Sequence, residues 1–231
     1  MRIMTFNTQH CLNYVTQKID FDVMADAIRQ CGADIVGLNE MRGAGPHPEF
    51  APQVEILAEK TGLTQHFFAP ALRMRAGGYG NGLLSRVPVE SAEMIMIPDP
   101  KPRKYDGYYE TRCLLKAKLT NGLTVLVTHF GLNPDEQENA VDTILAHLAD
   151  EKCILMGDFN VLPDNPVLNP IRARMRDAAD FICGDRNTFP SDAPDRKIDY
   201  IFVSPDVQVL RAEVPPIVAS DHRPHTAEAE I

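Results

Sequence analysis

Tryptophan is absent from the 231 residues, and ten phenylalanines and six tyrosines make up the aromatic content. Stacking platforms for exposed bases are therefore limited to Phe and Tyr. The five cysteines (Cys11, Cys31, Cys113, Cys153 and Cys183) are odd in number and scattered, with no C-x-x-C pair. That excludes a disulfide framework and a zinc-binding spacing, and the expectation is free thiols in a reducing compartment. No apolar run approaches membrane-spanning length, so no membrane partner is expected. The opening "MRIMTFNT" has neither a secretory apolar stretch nor a small-residue cleavage site, and a cytoplasmic location is expected. Basic charge is also short. Twenty-three Lys and Arg face thirty-two Asp and Glu, a net charge of −9 that disfavours extensive binding of duplex DNA. No glycine fingerprint follows the first apolar segment, which argues against a dinucleotide fold.

What is present is ordinary globular material, 44% hydrophobic and 24% charged. There is no linker, repeat or low-complexity tract, so one domain over residues 1–231 is expected. Strand-length apolar runs dominate, among them "RIMTF", "DIVGL", "RCLLKAKL", "LTVLVTHF", "CILMG" and "IDYIFVS". The "TNG" before "LTVLVTHF" signals a hairpin. Three windows have helical periodicity: residues 20–32 with Asp20 as N-cap, residues 48–62, and residues 133–150 with Asn133 as cap and Pro134 at the first position. Helices between some strands and hairpins between others predict an α/β fold, a four-layer αββα sandwich of two stacked mixed β-sheets flanked by helices.

The strand ends carry the chemistry. "RIMTF" runs into Asn7, "DIVGL" into Asn39 and Glu40, "LTVLVT" into His129, and "CILMG" into Asp158 and Asn160. "IDYIF" carries Asp199 near its start, and "IVAS" runs into Asp221 and His222. Any one of these is an ordinary turn or cap residue. Six apolar segments that each deliver a carboxylate, amide or imidazole at one terminus predict a single polar rim. Clustered carboxylates repel unless a cation sits among them, and an oxygen-rich donor set selects a hard divalent ion, Mg²⁺ or Mn²⁺. Such an ion beside two imidazoles suits hydrolysis of a phosphoester.

"TFN" at 5–7, "NE" at 39–40, "GDFN" at 157–160, "IDYIF" at 198–202 and "SDHRP" at 220–224 resemble, in order, the motifs of the endonuclease/exonuclease/phosphatase superfamily. The resemblance extends over nearly the whole chain and implies the same four-layer sandwich. It also implies Glu40 as principal Mg²⁺ ligand, with Asn7 nearby and Asp221 completing the shell. By the same resemblance Asp158 orients or deprotonates water, Asn160 hydrogen-bonds that water or the phosphoryl oxygen, and His222, held by Asp199, contacts the phosphoryl oxygens. His129 falls near the phosphate and leaving group. "YYETRCLL" and "GGYGNGLLSR" are also family-like. They imply a Glu110–Arg112 pair with phosphate contact by Arg112 as the alternative, and Asn81 facing the site or lying in a simple turn. One departure stands out: Gln9 occupies a position where some nucleases of the family have an aspartate.

Arg73 and Arg75, and also Lys101, Arg103 and Lys104, fall between apolar runs, where they would border the cleft and recruit an anionic substrate. The leading expectation is a phosphoester substrate, small-molecule or nucleic acid, cleaved as a diester or a monoester. Two alternatives are a repair-type DNA nuclease, which the net charge disfavours, and a non-catalytic module keeping the fold, which the full set of polar residues disfavours.

Overall fold

The computed structural model describes residues 1–47 and 49–231; Pro48, which opens the second helical window, lies outside the described residues. Two six-stranded mixed sheets face each other. The strands of the first are β1 (Arg2–Asn7), β2 (Ile35–Arg42), β3 (Gln65–Met74), β4 (Gly77–Ser85), β11 (Gln208–Glu213) and β12 (His225–Glu230), in the order β11-β12-β1-β2-β4-β3. The second holds β5 (Val89–Met96), β6 (Cys113–Leu119), β7 (Thr124–His129), β8 (Cys153–Asp158), the short β9 (Arg176–Asp177) and β10 (Asp199–Val203), ordered β9-β10-β8-β7-β6-β5.

Both faces of each sheet are covered, which is why the strands read as nearly unbroken apolar runs. Between the sheets Ile3, Ile35, Leu83, Val127, Ile154, Met156 and Ile201 interdigitate. On the outer face of the first sheet, Met4, Phe6, Val36 and Leu38 pack on helices α1 (Phe21–Cys31) and α2 (Gln53–Thr61). On the outer face of the second, Leu126, Leu155 and Phe202 pack on α3 (Pro134–His147) and α4 (Asn169–Arg172). The four-layer αββα sandwich is the observed fold. No helix among the described residues is long and apolar enough to cross a membrane.

The helix ends follow local chemistry. Asp20 accepts from the backbone N–H of Asp22 and Val23, and Gly32 closes α1 in the left-handed region at φ 61. Asn133 and Glu136 form a reciprocal capping box with Pro134 at the first turn of α3.

Two pairings set the position of the site. Each sheet contains one parallel pair, β1 with β2 and β7 with β8, so the partners end at the same edge. The registers match Asn7 to Asn39, Asp158 to His129 and, antiparallel, Asp158 to Asp199. Gly157 permits the tight approach: at φ 146, a Cβ there would fall 1.8 Å from the carbonyl oxygen of Thr128. The glycine-rich segment 77–85, for which a turn was one expectation, is instead strand β4. Glycine is required within it because a Cβ on Gly80 would lie 2.0 Å from the Ala69 carbonyl of the neighbouring strand.

Candidate active site

Asp158 is the hub. It is 2% exposed at the end of β8, and its Oδ2 receives Asn7 Nδ2 at 3.0 Å. The same oxygen lies 3.5 Å from His129 Nε2 and 3.7 Å from His222 Nε2. Its Oδ1 accepts the backbone N–H of Asn160 at 2.9 Å, and its own N–H donates to Asn39 Oδ1 at 2.9 Å. Burial first, and then the charge of Asp199, raise the Asp158 carboxyl above the ordinary carboxylate range, while the His222 charge opposes them.

The two imidazoles are held in different states. His222 Nδ1 meets Asp199 Oδ2 at 2.8 Å. Burial alone would push this imidazole down, yet the carboxylates of Asp199 and Asp158 override it and hold the ring positive well above neutrality. Phe189 packs on the same ring with centroids 4.8 Å apart. His129 is driven the other way, well below the usual histidine value, by burial and then by the charges of Arg112 and His222. A guanidinium only donates, so His129 Nδ1 accepts from Arg112 Nη1 at 3.1 Å and the ring proton sits on Nε2, facing Asp158. Arg112 is also paired with Glu110, as the sequence motif implied.

Glu40 and Asp221 form a second, more open group, joined to Asp158 through the buried Asn7. Asn7 Nδ2 bridges Glu40 Oε1 and Asp158 Oδ2, both at 3.0 Å, while its Oδ1 accepts the Gln9 N–H at 3.1 Å. Asn7 therefore turns its nitrogen, not its oxygen, toward the carboxylates. Burial, and then the charge of Asp221, raise the Glu40 carboxyl, and the Asn7 hydrogen bond opposes them. Asp221 accepts from Ser220 Oγ at 3.0 Å.

Local strain concentrates here. Gln9, His10, Cys11, Glu40 and Asn160 are five of the seven non-glycine residues with left-handed φ among the described residues. Such conformations persist where surrounding contacts over-determine them, and they cluster at functional sites. For Glu40, at φ 63, the cause is a register shift of β2 against β4 between Leu38 and Met41. A bulge of this kind re-aims the side chain at the end of a strand.

Asn81 is 2% exposed, and both ends of its amide are taken inside the protein, by Asn39 Nδ2 and by the Cys113 carbonyl. It reaches the site only through Asn39, which anchors the Asp158 backbone. Arg73 lies in β3 and Arg75 in the turn after it; both are exposed. The β3–β4 hairpin extends past Arg42, pairing Arg73 with Gly78 just beyond the Arg42–Tyr79 pair, so it projects from the Glu40 edge. Among the described residues no hydrogen bond or ion pair joins either arginine to the site. His10, Tyr79 and Phe189 were not foreseen from the sequence, and Asn39 was named there only as a strand-end residue without a role. Asn39 was legible as the neighbour of Glu40 at a strand end. The other three carry no local signal, because tertiary approach alone brings them in.

The model of the Endonuclease/Exonuclease/phosphatase family matches residues 4–222. The chain belongs to that family. Solved structures agree on the fold of this family member. An endonuclease/exonuclease/phosphatase from Beutenbergia cavernae is 22% identical with a TM-score of 0.78, over 100% of this chain and 71% of that one. A mannosyl-6-phosphatase from Bacteroides thetaiotaomicron is 16% identical with a TM-score of 0.74, over 100% of both chains. A D. rerio TDP2 humanized by 14 mutations is 16% identical with a TM-score of 0.69, over 100% of this chain and 99% of that one. At these identities the likeness is one of fold. No curated protein matches the chain by sequence. Membership of the Endonuclease/Exonuclease/phosphatase family points to metal-dependent phosphoesterase chemistry.

Proposed function

We propose that this chain is a Mg²⁺-dependent phosphoester hydrolase, with Mn²⁺ as a substitute, that directs water onto a phosphodiester or phosphomonoester. The observation that carries the reading is the Asp158 carboxylate, with an amide and two imidazoles within 3.0 to 3.7 Å of one oxygen. A merely structural aspartate does not need three such neighbours at the tip of a strand.

The residues fit a hard divalent cation. Glu40 and Asp221 supply carboxylate oxygens, Glu40 is raised by burial and by Asp221, and Glu40 Oε2 has no hydrogen bond among the described residues. Repulsion of this kind is relieved by a cation with oxygen ligands. Glu40 would be its principal ligand, with Asp221 beside it, and Asn7 would set the spacing between Glu40 and Asp158. When bound, the cation offsets charge developing on the phosphoryl oxygens.

Every other step belongs to the chain. Asp158 holds the attacking water and takes its proton as general base. Asn160 donates its backbone N–H to Asp158 Oδ1 and its side-chain amide to the Phe130 carbonyl at 3.1 Å, which leaves its Oδ1 to align the water. Positive His222, fixed by Asp199, turns Nε2–H toward the phosphoryl oxygens. Neutral His129 offers Nε2–H on the other side of Asp158, toward the leaving oxygen.

Hydrolysis of bis(p-nitrophenyl) phosphate and of p-nitrophenyl phosphate tests the reading, with a chelator and Asp158→Asn as controls. We expect activity abolished by the chelator and lowered about 1000-fold in kcat by Asp158→Asn. The preferred ester separates a diesterase from a monoesterase. Activity that persists through both controls would overturn the proposal.

A further inference from the structure

Immediately after Asn7 the chain makes a turn in which Gln9, His10 and Cys11 have φ of 46°, 48° and 62°. The left-handed region is disfavoured for residues with a Cβ, so three in succession require strong local support. The support is visible. Gln9 N–H donates to Asn7 Oδ1 at 3.1 Å, and Cys11 N–H donates to the Thr8 carbonyl at 2.9 Å. The His10 carbonyl accepts Gln53 Nε2 at 2.8 Å. Gln53 is fully buried, and its Oε1 accepts the Arg42 N–H at 2.9 Å. One glutamine thus clamps the turn to the segment that follows Glu40.

The product of this arrangement is the position of one ring. His10 Nδ1 lies 4.0 Å from Glu40 Oε2, the carboxylate oxygen that Asn7 does not occupy. That is too long for a hydrogen bond. It is within the roughly 4.2 Å that separates two ligands on opposite sides of a cation with bonds of about 2.1 Å. The two side chains are 22% and 23% exposed, so the gap between them opens to solvent.

We propose that His10 is a metal ligand: its imidazole joins Glu40 in holding the divalent cation and raises the affinity for Mn²⁺, the substitute ion, more than that for Mg²⁺. The inference rests on Glu40 being the metal carboxylate, as proposed above. Nitrogen donors favour the transition ions, whereas Mg²⁺ is held through oxygen. An all-oxygen site would not discriminate in this way.

Mn²⁺ titrated into the full chain, followed by the free-ion electron paramagnetic resonance signal, gives affinity, and spin-echo modulation by nitrogen reports an imidazole ligand. Mg²⁺ affinity follows by competition. His10→Gly suits the left-handed backbone and removes only the ring; His10→Asn is a second variant that tolerates the same φ. We expect nitrogen modulation in the wild type that both variants lose. Mn²⁺ affinity should fall about tenfold in His10→Gly, with Mg²⁺ affinity changing less than about twofold. Equal Mn²⁺ affinity and unchanged modulation in both variants, with binding lost in Glu40→Gln, would overturn the role of His10 and leave the metal site intact. Absence of Mn²⁺ and Mg²⁺ binding by the wild type would overturn both.

Discussion

The two halves of the site are built on opposite plans. Asp158 and His129 at the tips of β8 and β7, Asp199 on β10 and His222 in the loop before β12 are at most 4% exposed, with His222 hydrogen-bonded to Asp199 and both imidazoles within 3.7 Å of Asp158. On the first sheet Glu40 and His10 stay more than one-fifth exposed and face each other without a hydrogen bond. The buried half gets its order from strand register and from charge pairing in a low-dielectric interior. The open half gets its order from backbone strain, a bulge at Glu40 and a left-handed turn at His10, held from outside by Gln53. On the proposed reading, the difference teaches that proton handling and cation holding are separated physically. A general base and its charged neighbours benefit from dryness and rigid partners. A cation site needs donors that are fixed in place yet left under-bonded.

The comparison can be broken at its dry side first. Asp199→Asn removes the carboxylate that keeps His222 positive, so kcat should fall about 1000-fold, as when an orienting aspartate is lost from other imidazole sites. The His222 resonance should titrate at lower pH by NMR, and an unmoved resonance would detach Asp199 from His222. Gly157→Ala comes next. Its Cβ would strike the Thr128 carbonyl at 1.8 Å, and urea denaturation should show a loss of about 3 kcal/mol or more. A variant of wild-type stability would mean that β7 and β8 can part without cost.

The third test concerns the dry interior itself. His225 is fully buried, neither ring nitrogen has a hydrogen-bond partner among the described residues, and burial, then the charge of Lys197, lowers its pKa to about 4. A histidine lowered on folding takes up its proton preferentially in the unfolded chain. Its contribution is therefore complete above pH about 6.5 and is lost as pH falls toward 4. At pH 4.5 this costs the wild type about 2–3 kcal/mol relative to pH 7, and His225→Phe should reduce that acid sensitivity. Identical acid profiles of the two proteins would remove His225 as the cause. The smallest effect belongs to the open rim. Charge reversal at Arg73 and Arg75 should lower kcat/KM for an anionic ester by about fivefold and flatten its salt dependence, leaving kcat unchanged. An unchanged kcat/KM would show that the hairpin steers nothing.

Much of this was legible in the chain. Apolar runs ending in Asn7, Glu40, His129 and Asp158 announce strands whose tips share a rim, because parallel neighbours finish on one edge. The Asp20 cap and the closing Gly32 locate α1, and the Asn133 cap locates the start of α3, by local hydrogen bonding alone. The residues that were hidden are recruited by distant contacts. Tyr79 is held protonated by burial and then by the Glu40 charge, and it stands opposite Arg42 only because β4 is a strand. Phe189 meets His222 across thirty-odd residues of intervening chain. Asn81 looked like a cleft residue in a glycine-rich turn, yet the sandwich buries it between the sheets.

The sequence by itself determined which residue types stand at the strand ends and which segments have two apolar faces, since period, capping and turn chemistry are local properties. It therefore determined the layered fold and the presence of a carboxylate-rich rim. Only the tertiary structure decided which of those groups became a buried, pre-bonded cluster and which were left open beside His10. That choice depends on register, on one bulge and on one left-handed turn, and each is stabilised by contacts from far along the chain.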